Sequence, residues 1–344
     1  MRFGAHYLPT YVPELDGEPV EFYRRMYQQM ELLDQLGYDD LWVTEHHFHN
    51  YGGMVPDPAT FLASVAGRTQ RIHLGTAIVV LPLRNPLQVA ESYAMVDVIS
   101  NGRLEFGVGR GSSGPEFTGF GMDPSDSAVR MKEGMEIIRR GWQGERVCFQ
   151  GEVFKVDGVE VLPPTVQRPH PPIWVAANRS DDTFRWAGTN GFNLMTLPPS
   201  YPPPVLREQI DRYRDALAAA GHDPATREVL GKFHIYVAET DDQAEDEAAI
   251  YLENYGAVSR GRSNVETAVR RDRAQFRERL ESGLLIAGTP KRCIEAIQTW
   301  QDRLGLTTVS GTFYFGGMPQ ELALKNIRMF AKEVMPAFRS PAGK

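Results

Sequence analysis

Apolar residues along the chain alternate between short continuous runs and longer stretches with helical spacing. Phe3–Leu8 is a short apolar run closed by Pro9. Val20–Leu36 places Phe22, Met26, Met30 and Leu33 on one helical face and stops at Gly37, a residue type that ends helices in the left-handed conformation. Asp39–Val43 reads as a second strand, Pro58–Arg68 as a helix and Ile72–Val80 as a third strand. Pro86–Ile99 follows as a helix and Arg103–Val108 as a fourth strand. Successive strands begin roughly 30–40 residues apart, the length of one βα unit, which predicts parallel strands joined by helical crossovers.

The rhythm continues with interruptions. Ser127–Arg140 is a predicted helix, and Val147–Val156, with Gly151 near its middle, a predicted hairpin. After the Pro-rich stretch Pro163–Pro172 come a fifth strand at Ile173–Ala176 and a sixth at Phe192–Leu197. A helix at Val205–Ala220, a seventh strand at Leu230–Ala238, an eighth at Val309–Phe315 and a closing helix at Pro319–Val334 complete the series. Between the seventh and eighth strands lie an acidic helix, Asp241–Tyr255, and the arginine-dense stretch Arg260–Arg279. That stretch fits either a solvated surface helix or a mobile lid over the mouth of a barrel. The expectation is an α/β chain: one (β/α)8 TIM-barrel domain over residues 1–344, with insertions near 143–170 and 241–283. An open doubly wound sheet would need a glycine-rich phosphate turn after the first strand, where Pro9-Thr10-Tyr11-Val12-Pro13 stands instead.

Parallel barrels carry their chemistry at the C-terminal ends of the strands. The second strand runs into Glu45-His46-His47-Phe48-His49. Such a cluster suits a proton-transferring histidine, a metal site or buried structural histidines. Metal is disfavoured because in extended chain His46 and His49 share a face only if the backbone bends. The fourth strand ends in Gly107-Val108-Gly109-Arg110-Gly111-Ser112. Glycines that let backbone N–H groups approach, with a fixed guanidinium beside them, suit an anion, and they equally suit a flexible loop. After the fifth strand, Asn178-Arg179-Ser180-Asp181 opens a helix whose N-terminus can hold phosphate or can simply be capped by its own side chains. Two anion-friendly strand ends together point to a phosphorylated cofactor and no metal.

Composition narrows the setting. The 344 residues are 42% hydrophobic and 24% charged, enough for a large core without disulfides, and Cys148 and Cys293 stand in no metal-ligand spacing. A net charge of −7 speaks against nucleic acid and anionic lipid as partners. No apolar stretch reaches the ~18 residues of a membrane span. The first residues show no export signal, so a cytoplasmic protein is expected.

Taken in order, Arg2-Phe3-Gly4, Glu45-His46-His47-Phe48, the run from Gly75 to Pro82, Gly102-Arg103, the run from Phe106 to Gly111, Gly288-Thr289-Pro290 and the segment from Phe330 to Pro336 resemble the bacterial luciferase-like family of flavin-dependent enzymes. The likeness spans nearly the whole chain. It implies a barrel, usually a homodimer, that binds flavin mononucleotide (FMN) at the strand C-termini. His46 would be the base beside the reacting flavin, with Glu45 and His47 as its immediate catalytic surroundings. Ala77 and Ile78 would pass beneath the flavin ring, joined by a cis peptide. Arg110 and Gly111 would hold the phosphate side, with Asn178, Arg179 and Ser180 as a second cofactor contact. Arg130 would reach toward the phosphate from its helix. His6 would face the substrate pocket or be buried and hydrogen-bonded.

The implied reaction uses reduced FMN, supplied by a separate flavin reductase, and O2 to oxidise a small organic substrate through a peroxide adduct at flavin C4a. A deazaflavin-dependent hydride transfer on the same barrel, or a non-catalytic flavin-binding protein, would carry much of the same pattern. One departure stands out: Gly109 occupies the position of a reactive cysteine in light-emitting members, which argues against light emission.

Overall fold

Within each apolar run alternate side chains point to opposite faces, and here one face looks into a closed barrel. The computed structural model describes residues 1–261, 273–283 and 285–339. Its eight barrel strands are β1 (Arg2–Tyr7), β2 (Asp40–Val43), β3 (His73–Thr76), β4 (Leu104–Gly109), β5 (Ile173–Ala176), β6 (Asn193–Thr196), β7 (Val229–Val237) and β8 (Thr308–Thr312). Each pairs in parallel with the next, and β8 returns to β1 with Ser310 opposite Gly4, closing the α/β barrel. A short extra strand, Leu285–Gly288, pairs with the upper half of β7, whose lower half pairs with β6.

Local signals set most of the boundaries. Gly37 takes φ 78° and closes the helix Pro19–Leu36, whose Phe22, Met26, Met30 and Leu33 are all buried. Asn85 caps Pro86–Ile99, and Thr289 caps Pro290–Leu304. The predicted hairpin forms between Val147–Gln150 and Lys155–Val159. The predicted third strand is not continuous. It stops at Thr76, passes through a cis peptide between Ala77 and Ile78, and resumes at Val79–Val80, which pairs with Val108 and Gly109 of β4.

The arginine-dense stretch lies partly outside the described residues, including Arg262, Arg270, Arg271 and the side chain of Arg273. The helix before it, Asp241–Ser259, is longer than the periodicity predicts. The helix at its end, Arg273–Glu281, has an apolar anchor that the periodicity does not show. Phe276 is buried in the main core, and Arg277 pairs with Glu245 at 3.1 Å.

Inside the barrel the inward faces stack in layers. The floor is ionic: Arg2 donates to Asp40, to Glu228 at 2.6 Å and to Glu105 at 3.2 Å. Above it Trp42 and Trp174 meet edge to face, centroids 5.1 Å apart, with Met195 and Leu230 beside them. Trp174 donates to Glu105 at 2.7 Å, tying the aromatic layer to the floor. Gly75 makes room for the indole, because a Cβ there would lie 2.2 Å from the Trp42 ring.

Three floor carboxylates converge on one guanidinium. Burial pushes Asp40 well above the ordinary carboxylate range, although Arg2 pulls it back. Glu105 is buried too, yet donors from His73, Arg2 and Trp174 outweigh that and hold it low. Removing Arg2 leaves buried charges uncompensated, so Arg2→Met is expected to cost about 3 kcal/mol at neutral pH. Without Arg2, Asp40 would rise further above its unfolded value and Glu105 would lose one of the groups that hold it low, a penalty present above those pKa values and lost as pH falls through them. Urea unfolding of both proteins should show the gap narrowing toward acid; a gap that widens would contradict this account.

Candidate active site

The chain leaves β2 at Val43 and bends sharply, with Phe48 in the left-handed region at φ 65°. That bend brings His46 and His49 to the same side, against the expectation from extended chain. Both converge on Glu116, carried by the short helix Gly114–Gly119 after β4. One carboxylate oxygen of Glu116 lies 2.8 Å from His46 Nδ1 and 3.2 Å from His49 Nε2, and accepts the His47 backbone N–H at 3.0 Å. Burial pushes the Glu116 carboxyl up, but the hydrogen bonds from His46 and His47 outweigh it and hold the group below its usual range. An ionised carboxylate only accepts, so Nδ1 of His46 carries a proton, and it is Nε2 that can take up or release another. The ligand atoms of His46, His49 and Glu116 lie within 4.8 Å of one another, a spacing that two imidazoles and a carboxylate could also offer a metal ion. In this geometry hydrogen bonds join them.

Glu45 and His47 turn the other way. Glu45 is buried and accepts from His47 Nε2 at 3.0 Å, Arg84 Nε at 2.8 Å and the Val80 N–H at 3.1 Å. These bonds pin the loop after β2 to the turn that follows the cis peptide. Both residues line a separate cavity of about 550 Å³ together with Asp57, Arg84 and Tyr93. Of the three residues the sequence grouped as catalytic, His46 alone joins the Glu116 cluster through its ring.

A second cavity, about 430 Å³, opens between the ends of β4 and β5. It is lined by Arg110, Gly111, Ser112, Asn178, Arg179 and Ser180 among others, and by no carboxylate among the described residues. Ser180 stands at the N-terminus of helix Asp181–Thr189 and makes no capping bond with its side chain. Arg179 rests on Tyr201, donating to its hydroxyl. The side-chain oxygen of Asn178 accepts the Leu197 N–H at 2.8 Å, which fixes the amide and leaves its Nδ2–H donors for the cavity. Guanidiniums, hydroxyls and a helix N-terminus, whose first-turn acids Asp181 and Asp182 are paired with Arg185, Arg212 and Lys132, form a donor set that fits a phosphate. Beside it, Ala77, Ile78 and Ala176 lie partly buried on the indole layer, an apolar platform of the kind a flat ring rests on. Arg130 is not part of this cavity; it donates to the Pro82 carbonyl at 2.8 Å and stacks on Phe154. At Gly109 a Cβ would come within 2.3 Å of the Ile78 δ-methyl, so any larger residue there requires Ile78 to turn aside.

His6 is buried, and its Nδ1 has no partner among the described residues. Burial pushes it well below the usual histidine range, and the charges of Lys232, His234 and His46 push it the same way. The sequence reading missed Glu116, Lys232 and His234. The signal available for the last two was the polar residues at every second position of an apolar strand.

A closed parallel α/β barrel with a donor-lined cavity and a carboxylate-held histidine at its C-terminal face is the class of fold the chain presents. More specifically, the chain belongs to the luciferase-like monooxygenase family, whose pattern residues 1–307 match. It is 27% identical to the alkanal monooxygenase alpha chain of the Kryptophanaron alfredi symbiont, covering 98% of each chain. It is 30% identical to the oxygenase component of the flavin-dependent trigonelline monooxygenase of Acinetobacter baylyi (strain ATCC 33305 / BD413 / ADP1), over 69% of this chain and 66% of that one. Among solved structures, monooxygenase RslO1 from Streptomyces bottropensis superposes with a TM-score of 0.92 at 32% identity, covering 98% of this chain and all of the other. No helix among the described residues is long and apolar enough to cross a membrane.

The shared acceptor makes a local prediction. In Glu116→Ala the His47 amide loses a charge-assisted hydrogen bond worth about 1.5–3 kcal/mol. Its hydrogen exchange should quicken roughly ten- to hundredfold by the same measure, while amides of the floor strands stay unchanged. Unaltered exchange at His47 would show that the loop is held by other contacts.

Proposed function

We propose that the protein is a monooxygenase that binds reduced FMN, delivered by a separate reductase, and oxidises a small organic substrate with O2, working as a homodimer. The observation that carries this reading is the cavity of anion donors, free of carboxylates, beside an apolar platform at the barrel face that also bears His46. Family membership supports the chemistry, and the relatives named above support an oxygenase served by a partner enzyme.

When bound, the reduced flavin would supply two electrons to O2, so that one oxygen atom enters the substrate and the other leaves as water. Arg110, Arg179 and Ser180 would hold the phosphate, with the N–H groups of Gly111 and of the helix start behind them. Ala77 and Ile78 would seal the lower face of the ring against water. His46 would take up and return a proton at Nε2. Its Nδ1–H stays on Glu116, whose negative charge stabilises the ring while it is protonated, the logic of a histidine oriented by a carboxylate. Glu45 and His47 would act as positioning residues, fixing the loop that presents His46.

Two substitutions separate the roles. Arg110→Ala should weaken FMN roughly ten- to hundredfold, the worth of one charge-assisted hydrogen bond, and leave riboflavin unchanged. Fluorescence titration with both flavins reads this directly, and equal loss for both would remove Arg110 from the phosphate. His46→Ala should lower turnover by about 10²–10⁴ with an unchanged melting temperature, in an assay supplying reduced FMN and O2. Binding of a deazaflavin in preference to FMN, with no O2 consumed, would replace this reading by hydride transfer.

A further inference from the structure

On β7, Leu230 packs into the indole layer, so Lys232 and His234, two and four residues on, face the same barrel interior. Register places Lys232 opposite Ser310 and His234 opposite Thr312 on β8. Gly4 of β1 pairs with Ser310, and His6 stands two residues further along the same face. Three adjacent strands therefore present His6, Lys232, His234, Ser310 and Thr312 to one space above the indoles. Ser310 and Thr312 are 0% exposed, and His6 6%.

These groups lack partners. His6 Nδ1, His234 Nε2, Ser310 Oγ and Thr312 Oγ1 are buried without a hydrogen bond among the described residues. Lys232 shows no ion pair there, and burial pushes its ammonium down to about 8. The charges acting on His6 and His234 come from Lys232, His46 and Arg279, all basic. A largely buried cation among unpaired donors, with no acid opposite among the described residues, is costly unless a ligand completes it.

We propose that this cluster binds the carboxylate of an acidic organic substrate, with Lys232 as the counter-charge and His6, His234, Ser310 and Thr312 as hydrogen-bonding partners. A carboxylate offers about four lone-pair sites, enough for several converging donors at once. The cluster lies on β1, β7 and β8, whereas the phosphate-fitting cavity lies at β4 and β5, so the two anion sites are distinct. Above it, the Tyr255 ring sits 4.5 Å from His234 and Phe315 5.3 Å from it, while the Tyr51 hydroxyl meets that of Tyr255 at 2.8 Å. His46 lies 5.5 Å from Tyr51, ring to ring. The body behind the carboxylate would thus be aromatic or otherwise planar, with its reacting end toward His46.

The inference rests on the monooxygenase reading for its use, but its test does not. Calorimetric titration of benzoate and of neutral, near-isosteric benzamide into the full-length protein, with and without FMN, provides the measurement. Benzoate should bind at least about tenfold more tightly than benzamide, a preference that Lys232→Met abolishes while FMN affinity stays within about twofold. Thr312→Val should narrow the same preference by a smaller factor, and decides the matter if Lys232→Met does not fold. Equal binding of the two probes, no benzoate binding, or an unchanged preference in the variants would overturn the proposal. So would a Lys232→Met protein that loses reduced FMN and keeps benzoate, which would assign the charge to the flavin ring. If benzoate depends on Lys232 but FMN does not bind, the cofactor reading fails and the carboxylate site stands. If FMN binds through Arg110 and benzoate is ignored, the carboxylate site alone falls.

Discussion

Edge-to-face packing of Trp42 against Trp174 divides the barrel interior into two chemically opposite halves. The inside of a parallel barrel is filled by side chains in layers, so a wide apolar layer at mid-height acts as a partition. Below it, Arg2 neutralises clustered carboxylates in a floor tied to the aromatic layer by the Trp174 N–H. Above it, Ala77, Ile78 and Ala176 rest on the indoles and basic side chains dominate the walls. Without the partition, floor acids and mouth bases would share one volume and could pair with each other. The indoles keep the mouth bases uncommitted.

Carboxylates at the C-terminal face are placed with the same economy. Glu45 is fully engaged in holding the loop after β2 to the turn after β3, and Glu116 in holding His46, His47 and His49. Neither lines the phosphate-fitting cavity. Negative charge is thus used to orient histidines, and anion-binding surface is left to arginine, lysine and hydroxyl groups.

Much of the barrel was legible because its punctuation is local. The helix Pro86–Ile99 and the strand Ile173–Ala176 match their predicted bounds, each preceded by a residue that enforces the change, Asn85 with Pro86 in one case and Pro172 in the other. The break in Ile72–Val80 was not legible as a break, because an apolar run looks alike whether or not one of its peptides is cis. What orients Asn178 was also out of sight, because the backbone N–H that its side-chain oxygen accepts sits nineteen residues away. Glu116 was invisible for a similar reason, its partners lying 67 to 70 residues upstream. Lys232 and His234 sat in plain view on the seventh strand; their meaning depended on which face turned inward, and that was set by Leu230 joining the indoles.

The hydrogen bonds on Glu116 make the loops after β2 and β4 a single mechanical unit, although two α-helices and the strands β3 and β4 separate them along the chain. Recombination or loop grafting among barrels of this kind usually treats each βα loop as an interchangeable cassette. Here a β2 cassette moved alone would carry three histidines into a host without their acceptor, and a β4 cassette moved alone would bring a buried acid with nothing to receive. Only the pair transplants as a module, which also means that inherited variation in one loop is answerable to the other.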